Sequence, residues 1–300
     1  MNQNITPELR SWIVEQAQAG FAPEIILNSM KAAGWKEPVA LQALESTLRD
    51  HLARQSAGRT LQPSPVVATA PVQPAAAQHS PTHAVPSIDL SQSPREIALD
   101  DRTVRVISSM NLPRVVVLGG FLSDEECDAL IADASPRMAR SLTVETKTGG
   151  ESLNPDRTSN GMFFNRGESA LLQRIEARIA RLIGWPVENG EGMQVLHYKP
   201  GAEYKAHYDY FDPAEPGTPS ILKRGGQRVG TLLMYLNNPL RGGGTTFPDA
   251  GLEVMPQRGH AVFFSYDRPD PGTRSLHGGA PVLEGEKWIA TKWLRQREFQ

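Results

Sequence analysis

Apolar positions recur at helical spacing over residues 5–53, lose any period over 55–94, and from residue 193 onward alternate in short runs. In the first segment Leu9, Trp12, Ile13 and Ala17 mark one helix, with Gly20 as its stop. Ile25, Ile26 and Met30 mark a second, ending near Gly34-Trp35, and Leu41, Leu44, Leu48 and Leu52 a third. Further on, 113–118 reads as a strand, and Ser123-Asp124-Glu125-Glu126 is a capping box. The helix it opens buries Cys127, Leu130, Ile131 and Ala134. A second helix over about 168–183 carries Leu171, Leu172, Ile175, Ile179 and Leu182 and stops at Gly184-Trp185-Pro186. Then come strand candidates at 193–199, 203–211, 227–237, 252–256, 260–266, 273–278 and 286–295, separated by Pro- and Gly-rich turns. Many short strands after flanking helices predict an α+β chain with a double-sheet jelly-roll core and a small N-terminal α-helical module. The expected division is 1–54 helical module, 55–95 linker, and 96–300 main domain with its core at 190–297.

Composition sharpens the middle segment. Seven of the chain's 24 prolines fall in 55–94, and Arg59 and Asp89 are its only formally charged residues. Such a stretch cannot bury enough apolar area to offset its ordering entropy, so a flexible linker is expected. His79 and His83 lie within it, but without a helix their spacing sets no metal geometry. Net charge is −2, from 31 basic and 33 acidic residues, which argues against a nucleic-acid footprint. A single cysteine, Cys127, excludes an intrachain disulfide and a cysteine zinc cage. It sits on an apolar helix face with no local partner to activate it, as a core thiol does. No leader pattern and no long apolar run is present, so a cytoplasmic protein without a membrane span is expected. Residues 5–53 read equally well as a partner-docking module or as a packing appendage.

Candidate chemistry lies toward the C-terminus. On a strand over 203–211, alternation puts His207 and Asp209 on one face and Tyr208 and Tyr210 on the other. His277, on a distant strand, completes two imidazoles and a carboxylate, the ligand set of a non-haem Fe(II) oxygenase. A His-x-Asp pair alone is weak evidence. In 286–295, Lys287, Ile289, Thr291 and Trp293 share one face and Trp288, Ala290, Lys292 and Leu294 the other. Both faces are apolar, so Lys287 points inward and needs an anion. An internal salt bridge or a dicarboxylate pocket would meet that need; beside the His/Asp/His set, the pocket is favoured.

With these residues in view, about 113–297 resembles the prolyl 4-hydroxylase branch of the 2-oxoglutarate- and Fe(II)-dependent dioxygenases. The matching runs are Arg157-Thr158-Ser159 with Gly161-Met162-Phe163, Gln194 to Tyr198, His207 to Phe211, Gly226-Gln227-Arg228-Val229, Gly243 to Pro248, and His277 through Lys287 to Trp293. The resemblance implies a double-stranded β-helix core, iron on His207, Asp209 and His277, and 2-oxoglutarate held by Lys287, Tyr198 and Thr245. It implies a prolyl substrate against Tyr204, Arg228 and Trp293, with a loop at Arg157 to Gly161 closing over the peptide. The reaction implied is hydroxylation of an unactivated C–H bond, at C4 of a prolyl residue, using O2 and releasing succinate and CO2, with L-ascorbate as reductant. The same chemistry on another residue or a small molecule, and a non-catalytic metal-binding docking module, are the competing readings. The insert Asp212 to Arg224 departs from the pattern and bears on the substrate entrance. Of the other candidates, His197 alternates away from Tyr198 and reads as structural, His260 as a sheet or surface residue, and His51 has no evident partner. Arg274 could touch substrate or only a neighbouring carboxylate. Gly242-Gly243-Gly244 reads as a turn, because no Lys-Ser/Thr pair follows it.

Overall fold

The computed structural model describes residues 5–6, 9–10, 12–14, 26–27, 30–31, 35–57, 85–144, 150–153 and 156–300. The chain divides into two compact units, Met1–Ala76 and Ala77–Gln300. In the first, Ile13, Ile26, Met30, Ala40, Ala43 and Leu44 share a small core. Its long helix is Glu37–Ala57. Leu41 does not join that core as the leucine spacing predicts; it is exposed, while Ala40, Ala43, Leu44 and Thr47 are buried. Small residues let this face pack closely, so the buried stripe lies beside the leucine stripe. The Gly20 stop and the linker histidines His79 and His83 lie outside the described residues. No described helix is long and apolar enough to cross a membrane.

The second unit is built in three layers. Its centre is a nine-stranded sheet, antiparallel throughout, in which Arg228–Tyr235 pairs with Ala261–Ser265 on one side and Lys287–Arg295 on the other. Alternation divides each strand between two cores. Met193, Val195, Leu232, Met234 and Ala290 face the helices, while Leu196, Tyr198, Leu233, Tyr235 and Ile289 face away from them. The helices are Asp124–Ala134 and Ala170–Ile183. Ser123 caps the first: its Oγ accepts from Glu126 N–H at 3.1 Å and its own N–H donates to the Glu126 carboxylate at 3.0 Å. Ser169 caps the second, and Gly184 ends it at φ 61°, a left-handed turn that suits glycine. Cys127 lies buried under the first helix, and burial pushes its thiol up to about 11.

The third layer is a four-stranded sheet ordered Leu252–Val254, Thr245–Phe247, His277–Gly279, Tyr204–His207. Phe247, Leu252 and Val254 pack into the same core as Leu196, Tyr235 and Phe264 of the large sheet. This is the double-stranded β-helix arrangement, with two sheets closed over one another. Several strands are shorter than the alternation suggests. The segment 273–278 divides into a helical turn at Pro271–Thr273 and a strand at His277–Gly279, and 203–211 keeps only Tyr204–His207. Strands Glu96–Ala98 and Thr103–Asn111 are not among those the pattern predicts; they form one edge of the large sheet and are mostly exposed, so little apolar pattern marks them.

Candidate active site

His207 and His277 are cross-strand partners in the small sheet. Asp209 reaches them from a bend beyond the strand end, not by strand alternation. The chain turns there because Tyr210 and Phe211 are buried and Gln227 clamps the turn. Gln227 Oε1 accepts from Phe211 N–H at 2.8 Å, and its amide donates to Phe211 O at 2.7 Å. Tyr208 and Tyr210 consequently stack on each other, with ring centroids 4.7 Å apart. His207 Nε2 then lies 3.6 Å from Asp209 Oδ1, and His277 Nε2 3.4 Å from Asp209 Oδ2. One ligand atom from each of the three residues falls within 4.8 Å of the others.

Hydrogen bonding fixes which atoms are offered. His207 Nδ1 donates to Lys205 O and His277 Nδ1 to Ser275 O, each at 2.9 Å, so both Nε2 lone pairs face the common point. Burial lowers His277 to about 4; Asp209 opposes that shift and His207 adds to it, and a neutral imidazole results. Burial opposes charge on Asp209, yet His277, His207 and Arg228 hold its carboxyl far below the usual range. Thr231 Oγ1 donates to Asp209 Oδ2 at 2.7 Å and lies 3.1 Å from the Tyr266 hydroxyl. Two imidazoles offering Nε2 toward a common point and an ionised carboxylate suit a divalent iron.

Lys287 lines the same cavity from the large sheet, paired in register with Tyr198. Its Nζ stands over the Tyr198 ring at 5.2 Å and makes no hydrogen bond or ion pair among the described residues. Burial pulls its pKa down to about 8, partly opposed by Glu253. Thr245 borders this end, its Oγ1 accepting from Tyr235 O–H at 2.7 Å, so its own proton is free for a ligand. Gly243, at φ 74°, passes so close that an added Cβ would stand 3.1 Å from Lys287 Cδ. A buried ammonium with hydroxyl donors around it fits one carboxylate of a dicarboxylate such as 2-oxoglutarate.

Residues 193–295 match the family model of the 2OG-Fe(II) oxygenase superfamily. Over 221 residues the chain is 44% identical to Prolyl 4-hydroxylase 5 of Arabidopsis thaliana, covering 67% of this chain and 74% of that one. The chain belongs to the prolyl 4-hydroxylase family. Prolyl 4-hydroxylase 1 of the same plant is 47% identical over 204 residues, 62% of this chain and 70% of that one. A crystal structure of a viral collagen prolyl hydroxylase from Paramecium Bursaria Chlorella virus-1, a 2OG complex, is 33% identical with a TM-score of 0.47, covering 60% of this chain and 95% of that one. As a member of this family the chain is a 2-oxoglutarate-dependent dioxygenase, and Fe(II) and 2-oxoglutarate are what its His/Asp/His cluster and lysine pocket fit.

Within this dioxygenase, Tyr204, Trp293 and Arg157 border the cavity. Tyr204 stacks on His207 at 3.7 Å, and Arg157 lies over Tyr204 at 4.9 Å while donating to Gln194 Oε1 at 2.7 Å. Arg228, expected beside them, does not border that cavity. Its guanidinium is bound to Glu191 at 2.7 and 2.9 Å and lies over the Trp293 ring at 4.1 Å. His197 lies elsewhere, 2.9 Å from Glu286 and stacked on Trp288 at 4.1 Å. His260 is half-buried and Arg274 exposed, and neither borders the cavity. Sequence reasoning misses Thr231, Tyr235, Gln227, Tyr266 and Glu191. Only Gln227, in the Gly226-Gln227-Arg228 run, carries any signal.

Proposed function

We propose that this dioxygenase hydroxylates prolyl residues at C4 in a peptide or protein, coupling that step to oxidative decarboxylation of 2-oxoglutarate. The carrying observation is the convergence of His207, Asp209 and His277 with an uncompensated Lys287 in one cavity. In this reading the three clustered residues hold iron, and Lys287, Tyr198 and Thr245 hold 2-oxoglutarate. When bound, iron and co-substrate supply the oxidation, giving succinate, CO2 and a hydroxylated product. The chain supplies position. The Lys205 and Ser275 carbonyls fix the imidazoles, and Thr231 steadies the carboxylate. Tyr204, Trp293 and Arg157 border the cavity and are the side chains this reading gives to the prolyl ring, whose binding would exclude water from the reacting centre. Ascorbate is the reductant expected to sustain turnover.

The relatives' names support the prolyl substrate. The test is succinate release that needs Fe(II), 2-oxoglutarate and a proline-containing peptide together, with hydroxylation mapped to the prolyl C4. Succinate formed with equal yield whether or not any proline peptide is present would overturn the substrate assignment.

A further inference from the structure

Beyond the metal-site cavity lies a second one of about 320 Å³, bordered by Phe163, Glu191, Phe211, Arg224, Arg295 and Phe299 among others. Its wall is a ladder of alternating rings and guanidinium groups. Arg228 lies over Trp293 at 4.1 Å and over Phe211 at 4.8 Å. Arg295 lies over Phe211 at 5.0 Å and Phe299 at 5.2 Å, and Arg224 over Phe299 at 4.6 Å. The first rung, Trp293, borders the metal-site cavity and not this one; Arg228, which covers it, borders this one, and the last rung, Arg224, is exposed. The ladder therefore runs from the reacting centre to the surface.

Its charge is unbalanced. Three arginines border this cavity with one acidic side chain, Glu191. Glu191 is engaged by both Nε and Nη2 of Arg228, and its Oε1 lies 3.1 Å from Arg295 Nε. Among the described residues that Arg295 Nε–H, though the residue is 2% exposed, meets no acceptor in hydrogen-bond geometry. Burial brings Arg295 down to about 10, with Glu191 opposing the shift and Arg228 adding to it. Asp209 is the next carboxylate felt by Arg228, but its charge serves the metal site. Arg224 gives its Nε–H to Gln300 O at 3.0 Å, and its terminal N–H groups make no hydrogen bond among the described residues. On the same cavity Phe163 stands 47% exposed, an apolar contact for a chain leaving Trp293.

We propose that this ladder is a substrate subsite that takes a carboxylate side chain near the residue to be hydroxylated, so that the enzyme selects acidic proline-containing peptides. The inference rests on the prolyl hydroxylase reading above. A carboxylate entering the cavity gains charge-assisted hydrogen bonds from Arg224 and meets the excess charge of Arg295. The Asp212 to Arg224 insert thereby gains a role: it carries Arg224, and Ile221 O accepts from Arg295 Nη2 at 3.3 Å.

Fluorescein-labelled peptides with one proline, flanked by Glu, Gln or Lys, test this by anisotropy on the full chain loaded with Mn(II) and 2-oxoglutarate. The Glu peptide is expected to bind at least about tenfold tighter than the Lys peptide at low salt, with the gap narrowing as salt screens it. Arg224→Glu, at an exposed position, should abolish or reverse that preference, and Arg295→Gln should reduce it. Equal binding of Glu and Lys peptides, no detectable binding of the Glu peptide, or an unchanged preference in Arg224→Glu would each overturn the proposal. Turnover is read separately. Tight binding of the Glu peptide without hydroxylation leaves the subsite standing and refutes the prolyl reading; hydroxylation without charge preference does the reverse.

Discussion

Lys287 is buried, 1% exposed, and no carboxylate neutralises it among the described residues. Replacing it with methionine, Lys287→Met, keeps the stem and removes the charge. Its pKa falls from 10.5 to about 8 on burial. At about 1.4 kcal/mol per tenfold, holding the ammonium in the folded chain costs about 3 kcal/mol near neutral pH. Contact with the Tyr198 ring returns about 1 kcal/mol of that. The metal-free variant should therefore be about 2 kcal/mol more stable than the wild type, raising Tm by about 4–8 °C. Urea and thermal denaturation followed by tryptophan fluorescence measure this. Adding 2-oxoglutarate with Mn(II) should raise the wild-type Tm further, because a ligand of the folded state alone stabilises it, and should leave the variant unmoved. A variant less stable than wild type by about 1 kcal/mol or more, or one that keeps its 2-oxoglutarate response, refutes the idea that this lysine waits for a dicarboxylate.

The same group sets a pH dependence. Below about 8 Lys287 is protonated and binds a carboxylate, so 2-oxoglutarate affinity, followed by calorimetry, should hold steady to about pH 8 and weaken above it. Its folded pKa lies below the unfolded one, so the folded chain binds fewer protons between about 8 and 10.5; the Lys287 contribution to stability rises with pH across that window and is absent from Lys287→Met. Thr231→Val removes the donor to Asp209 Oδ2, and metal affinity measured by Mn(II) titration should drop about 10–100-fold with the far-UV spectrum unchanged. Glu191→Gln leaves Arg228 and Arg295 buried without a counter-charge and should destabilise the domain by about 3 kcal/mol in urea; a change under about 1 kcal/mol contradicts that role.

Much of the site is legible in the sequence because strand alternation is local. The faces of Lys287–Arg295 follow from neighbouring residues, so alternation alone puts Lys287, Thr291 and Trp293 together on the side that borders the pocket. The helix starts are equally plain, since Ser123 and Ser169 sit next to the backbone groups they satisfy. Asp209 shows the limit. Alternation aims it correctly for the wrong reason: the strand ends at His207, and the bend that delivers the carboxylate depends on Gln227, brought close by the fold. Thr231, Tyr235 and Tyr266 escape notice for the same cause; their hydroxyls serve the site through partners on other strands or bends, and a buried polar residue on an apolar strand carries no local mark of its partner. Arg228 is the opposite case. Its position in the motif suggests substrate, while Glu191, 37 residues earlier, claims its guanidinium.

The most direct test of the whole account follows both products of one reaction. The chain is incubated with Fe(II), 2-oxoglutarate, ascorbate, a proline-containing peptide and isotopically labelled dioxygen. Succinate and hydroxyprolyl peptide should form in equal amounts, with the label in the prolyl C4 hydroxyl, and His207→Ala and Asp209→Ala should form neither. Labelled product from either variant, or wild-type succinate without any hydroxylated peptide, would contradict it.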